Sequence, residues 1–194
     1  FFFDYDNDGW MDLFAANGHI EEEIQRVQPK ITFAEAPLLF RNLGKGRFED
    51  VTRKAGTDLQ RPIVARGAAY GDFDHDGDLD VLLSTNNGPG YLLRNDGGNA
   101  NAWLQVKLRG SKSNRNGLGA VVRVESASGK QWQMARSGSS YCSSSDLALH
   151  FGLGKDATAT VSVEWPSGGR QRFEGVKVNQ HLVVDEASGI VPRR

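Results

Sequence analysis

Four aspartates in one nine-residue stretch and five in another constrain this chain more than any other feature. Asp4-Tyr5-Asp6-Asn7-Asp8-Gly9-Trp10-Met11-Asp12 and Asp72-Phe73-Asp74-His75-Asp76-Gly77-Asp78-Leu79-Asp80 share the pattern D-x-D-x-D-G-x-x-D. Carboxylates at positions 1, 3, 5 and 9 of one short loop repel each other strongly unless a cation sits among them. Alternate residues turn their oxygens toward a common centre, and glycine at position 6 permits the bend that returns position 9. A hard cation taking six to eight oxygens suits such a loop, Ca²⁺ above all. The expectation is two Ca²⁺ sites. Asp4, Asp6, Asp8 and Asp12 hold one ion with the carbonyl of Trp10; Asp72, Asp74, Asp76 and Asp80 hold the other with the carbonyl of Asp78.

The EF-hand shares this opening but needs a bidentate Glu at position 12 and a helix on each side. Position 12 is Ala15 in the first loop and Leu83 in the second. The flanks read as strand: Leu79, Val81 and Leu83 alternate with Asp80 and Leu82, and Phe1-Phe2-Phe3 precedes the first loop. The competing reading is a pair of solvated acidic turns, since Asp and Gly are ordinary turn residues. Duplication with every carboxylate position filled favours calcium loops between strands.

The similarity extends past the loops. Leu38-Leu39-Phe40-Arg41-Asn42-Leu43-Gly44 follows the first, and Tyr91-Leu92-Leu93-Arg94-Asn95-Asp96-Gly97 follows the second. Each is a short apolar strand running into Arg-Asn and a turn, with Gly46-Arg47-Phe48-Glu49-Asp50-Val51-Thr52 supplying a further strand between the copies. Recurrent short-strand units of this kind build propellers or arrays, because one unit cannot bury its faces alone. Ile20, Ile24 and Val27 recur at helical spacing in a longer first connection, so a helical turn or two is expected there, with Glu21-Glu22-Glu23 as a solvated face.

The segment from Phe3 to about Asp96 resembles FG-GAP/VCBS repeats, the calcium-loop repeats of integrin-like β-propellers. The Asp loops and the Leu-Phe-Arg-Asn … Gly-Arg-Phe-Glu-Asp-Val-Thr … Ala-Gly run carry the resemblance. Two repeats do not close a propeller of four to eight blades. Upstream blades, or self-association, are therefore expected to cover an otherwise unpaired sheet edge or blade face. The chain opens Phe-Phe-Phe-Asp, inside the motif and without an initiator Met, and reads as the C-terminal piece of something longer.

Gly and Asn dominate from Asn95 to Ala102, which places a boundary between segments 1–98 and 99–194. Beyond it about six strands recur at turn-bounded spacing: Leu104, Val106 and Leu108; Val122 and Val124; the run around Trp132; Val161, Val163 and Trp165; Val176 and Val178; Leu182 and Val184. That pattern predicts an antiparallel sandwich or barrel. The fold expected is thus all-β, a partial β-propeller of two calcium-loop repeats followed by an antiparallel β-sandwich-like domain. The stretch from about Asn101 to Glu186 resembles the ASPIC/UnbV domain. Five motifs stand in order: Trp103-Leu104-Gln105-Val106, Ser113 to Ala120, His150-Phe151-Gly152-Leu153-Gly154, Val163 to Gly168, and Asn179-Gln180. The resemblance implies secretion and extracellular adhesion or binding, and brings no established catalytic mechanism.

Charge is split along the chain: residues 1–98 carry 10 Lys/Arg against 17 Asp/Glu, residues 99–194 carry 13 against 7. The basic residues are scattered without interleaved aromatics, which argues against nucleic acid as partner. No stretch reaches the ~18–20 apolar residues of a membrane span. Cys142 is the only cysteine, so no internal disulfide forms. Loops lacking the strong twelfth ligand bind calcium weakly and fill where calcium is on the order of millimolar, pointing to an extracellular or periplasmic setting.

Other chemistry is thin. His150 lacks an evident partner for general-base work and reads as structural. The hydroxyl-rich run Ser137 to Asp146 lacks the strand–turn–helix setting of a hydrolase nucleophile. In Asn114-Arg115-Asn116-Gly117, Arg115 is suited to fork onto a carboxylate, of a ligand or of the protein itself. Trp10, Trp103, Trp132 and Trp165 offer a sugar-stacking platform wherever they remain exposed. The leading expectation is a non-enzymatic, calcium-stabilised interaction module binding an extracellular protein or glycan. The alternatives are an enzyme of polysaccharide or secondary metabolism working in the interdomain cleft, and a carbohydrate-binding module.

Overall fold

Each aspartate loop joins the first two strands of an antiparallel meander. β1 (Phe2–Phe3), β2 (Asp12–Ala15), β3 (Leu38–Asn42) and β4 (Phe48–Asp50) pair in chain order. β5 (Ala65–Gly71), β6 (Asp80–Thr85) and β7 (Tyr91–Leu93) repeat the first three members. These come from a computed structural model that describes residues 1–192, Asn99 by its backbone alone. Residues 193 and 194, the end of the expected second segment, lie outside the described residues. The two loops share their backbone as well as their sequence. Position 4 is left-handed in both (Asn7 φ 56°, His75 φ 65°), and so is position 6 (Gly9 φ 91°, Gly77 φ 100°).

The two units share one core. Phe3, Phe14 and Leu39 from the first pack with Ala68, Leu79, Val81 and Leu83 from the second. Burying that face on both sides is what an isolated three- or four-stranded sheet cannot do by itself. The helical expectation at Ile20 to Val27 is met only by a single turn, α1 (Ile24–Val27). Ile24 is buried while Ile20 and Val27 are 88% and 79% exposed, because four residues are too few to present a three-position apolar face. α2 (Thr52–Ala55) is equally short.

The second half is a sandwich of eight strands: β8 (Ala102–Arg109), β9 (Val121–Ser126), β10 (Gly129–Met134), β11 (Leu149–Gly154), β12 (Thr158–Glu164), β13 (Arg170–Lys177), β14 (Gln180–Asp185) and β15 (Gly189–Val191). One sheet runs β10-β9-β12-β13, the other β11-β8-β14-β15. Their inner faces meet in a core that includes Leu104, Val106, Val122, Val124, Phe151, Val161, Val163 and Val184. Pairing is antiparallel except at β8 and β14, which run parallel at the centre of the second sheet.

That second sheet is covered on both sides. Leu104 and Val106 face the sandwich core, yet Trp103 and Gln105, which alternate with them, are only 6% and 7% exposed. The aspartate loops press on the outer face. A Cβ at Gly152 of β11 would sit 2.0 Å from Asp4 Oδ2, and one at Gly77 would fall 1.9 Å from the Trp103 ring. Glycine at both points is what lets the halves touch. The edge of the second unit at β5 meets the sandwich half. Ser143 and Ser145 accept hydrogen bonds through their hydroxyls from the N–H groups of Ala68 and Tyr70 at 2.9 and 3.1 Å, and the Asp146 N–H donates to the Tyr70 carbonyl at 3.0 Å.

Candidate metal centres

In the first loop, carboxylate oxygens of Asp4, Asp6 and Asp8 converge within 4.8 Å of one another; in the second, those of Asp72, Asp74 and Asp80 do. The scaffolding around them is the same twice. Position 9 accepts two backbone hydrogen bonds: Asp12 from the N–H groups of Tyr5 (3.1 Å) and Asn42 (2.7 Å), Asp80 from those of Phe73 (2.8 Å) and Asn95 (2.9 Å). Position 5 accepts one from position 7, Trp10 to Asp8 at 2.9 Å and Asp78 to Asp76 at 3.1 Å. Trp10 holds its ring largely in solvent beside Gly44, whereas Asp78 is fully buried.

The Arg-Asn pair that ends the third strand of each unit now has a role that its repetition alone did not disclose. Its asparagine supplies a backbone N–H to position 9. Its arginine approaches the carboxylates: Arg41 Nε lies 2.8 Å from Asp6 and Nη2 3.3 Å from Asp8, while Arg94 Nη1 lies 3.9 Å from Asp74 and Nη2 2.7 Å from Asp96.

Burial, with repulsion between neighbours, makes Asp4, Asp6, Asp12, Asp72 and Asp80 costly to ionise, whereas Asp76 is lowered by hydrogen bonds that outweigh its burial. Burial pushes Asp4 up to about 8, with Asp8, Asp12 and Asp6 repelling it and the Gly9 N–H opposing. Burial likewise carries Asp12 up to about 7, against hydrogen bonds from Asn42 and Tyr5. Asp6, Asp72 and Asp80 are raised for the same first reason. Asp6 Oδ1 is buried without a hydrogen-bond donor. Both oxygens of Asp72 are also buried without one, and clustered buried oxygens of this kind fit a hard divalent cation, which relieves both burial and repulsion at once.

Behind the loops lies a buried polar seam along β11, β8 and β14. His150, Gln105 and His181 sit side by side across the three strands. Asn7, wholly buried, donates through Nδ2 to the carbonyls of Gly77 (2.9 Å) and Gly98 (3.1 Å). Its Oδ1 therefore accepts, and His150 Nε2, 2.6 Å away, carries the proton that it donates. Burial, then His181, lowers His150 to about 3, so this histidine stays neutral. The structural reading of His150 rests on that contact. Neither Asn7 nor His181 was singled out from sequence, because nothing in a strand or a loop alone shows which residues face across a junction.

The remaining candidates lie elsewhere. Asn114 closes its own loop, donating from Nδ2 to the Leu118 carbonyl and accepting the Leu118 N–H through Oδ1 (2.7 and 2.8 Å). Arg115 and Asn116 are exposed on that loop. The neighbouring N–H groups of Ser111, Lys112 and Ser113 converge on the Glu186 carboxylate at 2.7–2.8 Å, so this anion cradle is filled from within. A four-tryptophan platform is not formed: Trp103 is packed under the aspartate loops and Trp165 in the sandwich core, leaving Trp10 and Trp132 exposed.

An FG-GAP-like repeat matches residues 4–83, and the ASPIC and UnbV family matches residues 110–191. Cartilage acidic protein 1 of Homo sapiens is 31% identical over 171 residues, covering 85% of this chain and 24% of its own length. The Mus musculus protein of that name is 30% identical over 171 residues, and the Xenopus tropicalis one 37% over 106 residues, 53% of this chain and 16% of its own. The chain thus spans about a quarter or less of the length of the curated relatives it matches. Among the described residues no helix is long and apolar enough to cross a membrane. The chain carries an FG-GAP-like repeat region followed by an ASPIC and UnbV domain, and is homologous over this span to cartilage acidic protein 1.

Proposed function

We propose that this chain is a calcium-stabilised extracellular binding module. Asp4, Asp6, Asp8 and Asp12 would hold one Ca²⁺ and Asp72, Asp74, Asp76 and Asp80 a second, the carbonyls of Trp10 and Asp78 completing each set. The observation that carries the reading is the duplicated loop. Two sequences 68 residues apart adopt one backbone, make the same hydrogen bonds at positions 5 and 9, and gather carboxylates that burial makes costly to ionise. The ions are structural in this reading. They rigidify the turns that press on the sandwich, and loops of the β scaffold bind an extracellular protein or glycan. The name of the relatives, with its reference to cartilage, supports an extracellular setting.

Binding is favoured over catalysis because the hydroxyls of Ser143 and Ser145 and the Nε2 of His150 are committed to backbone and amide partners at the junction. A thermal melt of the metal-stripped chain, with Ca²⁺ added from micromolar to millimolar and Mg²⁺ as control, tests the reading. Each site filled at a hundredfold excess over Kd contributes about 2.7 kcal/mol. A Ca²⁺-selective upward shift, reduced by Asp6→Ala and by Asp74→Ala, is expected. A melt that ignores Ca²⁺ would refute calcium stabilisation.

A further inference from the structure

The two aspartate loops differ at position 4, and the difference faces the sandwich. In the first loop Asn7 is consumed by Gly77, Gly98 and His150. In the second, His75 projects an imidazole whose centroid lies 5.3 Å from that of His181 on β14, the rings crossed at 80°. One ligand atom from each of Asp72, His75 and His181 lies within 4.8 Å of the other two.

The tautomer of His181 follows from its neighbour. Its Nδ1 is 2.5 Å from Gln105 Oε1, an acceptor, so Nδ1 carries the proton and a neutral ring turns its Nε2 lone pair outward. That nitrogen faces Asp72 Oδ2 at 3.5 Å. The Asp72 side chain is fully buried, and the N–H groups of Gly77 and His75 that approach it reach neither oxygen with good hydrogen-bond geometry. At the matching place in the first loop, Asp4 takes hydrogen bonds from the N–H groups of Asp8 and Gly9 on its two oxygens. A lone pair and a carboxylate held face to face repel unless a proton or a metal ion lies between them, and the nearby imidazole of His75 supplies a third donor for a metal. Their 3.5 Å separation is close to the edge of a coordination tetrahedron, roughly 3.3–3.6 Å for metal–ligand bonds of about 2.0–2.2 Å. A histidine whose far nitrogen donates to a carbonyl oxygen is also the usual posture of a metal-ligating imidazole.

We propose that Asp72, His75 and His181 form a site for a zinc-class transition-metal ion, separate in donor chemistry from the oxygen-only calcium loops. Two imidazoles and one carboxylate suit such an ion, while Ca²⁺ prefers oxygen alone. Asp72 belongs to both clusters. His75 is exposed, which leaves the fourth position open to solvent on that side. The ion would fasten the second aspartate loop to β14 and so join the two halves.

The test is titration of the full chain with Co²⁺, followed by visible absorption, and with Zn²⁺, followed by calorimetry. Ca²⁺ is kept saturating so that the oxygen-only loops do not report. One equivalent with ligand-field bands is expected. His75→Gln and His181→Gln should each abolish the bands and weaken Zn²⁺ by at least the roughly tenfold that loss of an outer-shell partner alone costs. His19→Gln, in the first unit, should change neither. His75 is exposed on its loop, so its substitution reports on the site even where the His181 variant folds poorly. Absence of stoichiometric binding, or binding that survives the His75 substitution, would overturn the proposal in favour of a protonated His181 paired with Asp72.

Discussion

Removing the side chain of Asn7 is the sharpest test of how the two halves are joined. Three buried groups depend on it: the carbonyls of Gly77 and Gly98, and the Nε2–H of His150. Each carbonyl keeps a second lone pair, but a buried ring N–H without an acceptor costs about 1–3 kcal/mol, and two weakened carbonyls add roughly 1 kcal/mol each. Asn7→Ala also puts in the left-handed region (φ 56°) a residue that tolerates it less well than asparagine, costing about 1 kcal/mol more. Asn7→Gly relieves that strain and isolates the hydrogen bonds. We expect about 3–5 kcal/mol of destabilisation for Asn7→Gly and about 1 kcal/mol more for Asn7→Ala, read by urea unfolding with far-UV circular dichroism. The companion change His150→Phe keeps an aromatic ring against Trp103 and removes the donor. A double-mutant cycle of Asn7→Gly with His150→Phe should show coupling of about 1 kcal/mol or more. If Asn7→Gly costs less than about 1 kcal/mol, or the cycle shows no coupling, the buried network is not what holds the junction.

Two further outcomes follow from the carboxylates. The folded, metal-stripped chain keeps protons on Asp4 and Asp12, raised to about 8 and about 7, that the unfolded chain has released at ordinary carboxylate pH. Its stability should therefore be highest below about pH 4 on this account and fall as pH rises toward 8, while saturating Ca²⁺ abolishes the fall; a metal-stripped melting temperature that climbs from pH 5 to 8 would contradict it. Arg41 places its positive charge against Asp6 and Asp8, so Arg41→Gln should tighten calcium at the first loop by about twofold to fivefold, the range of one partly exposed ion pair, as measured by calorimetry.

The carboxylate spacing was legible because it is local: alternate residues and a glycine bend bring Asp4, Asp6 and Asp8 together without help from distant chain. Period-two alternation was equally local, and Val122/Val124 and Val161/Val163 all point into the sandwich core. Strand β11 is missing from the six strands read by alternation because Leu149 to Leu153 is buried at every position, with the sandwich on one face and Asp4 and Asn7 on the other. Its sequence, Leu-His-Phe-Gly-Leu-Gly, shows glycines and a histidine where a half-exposed strand would show polar side chains. The parallel pairing of β8 with β14 joins residues about 76 apart in sequence, and no turn signal specifies it. The grouping of Asp72 and His75 with His181 was hidden for the same reason.

The sheet that carries β8 has the hydrophobic core of the sandwich on one side and the two aspartate loops on the other. If the loops bind calcium as proposed, that placement makes ion affinity and domain stability reciprocal quantities. Whatever free energy the sandwich gains when calcium orders the loops, the loops gain in calcium affinity because the sandwich is folded behind them. A substitution deep among Leu104, Val106 and Phe151 would then weaken calcium binding without touching a ligand.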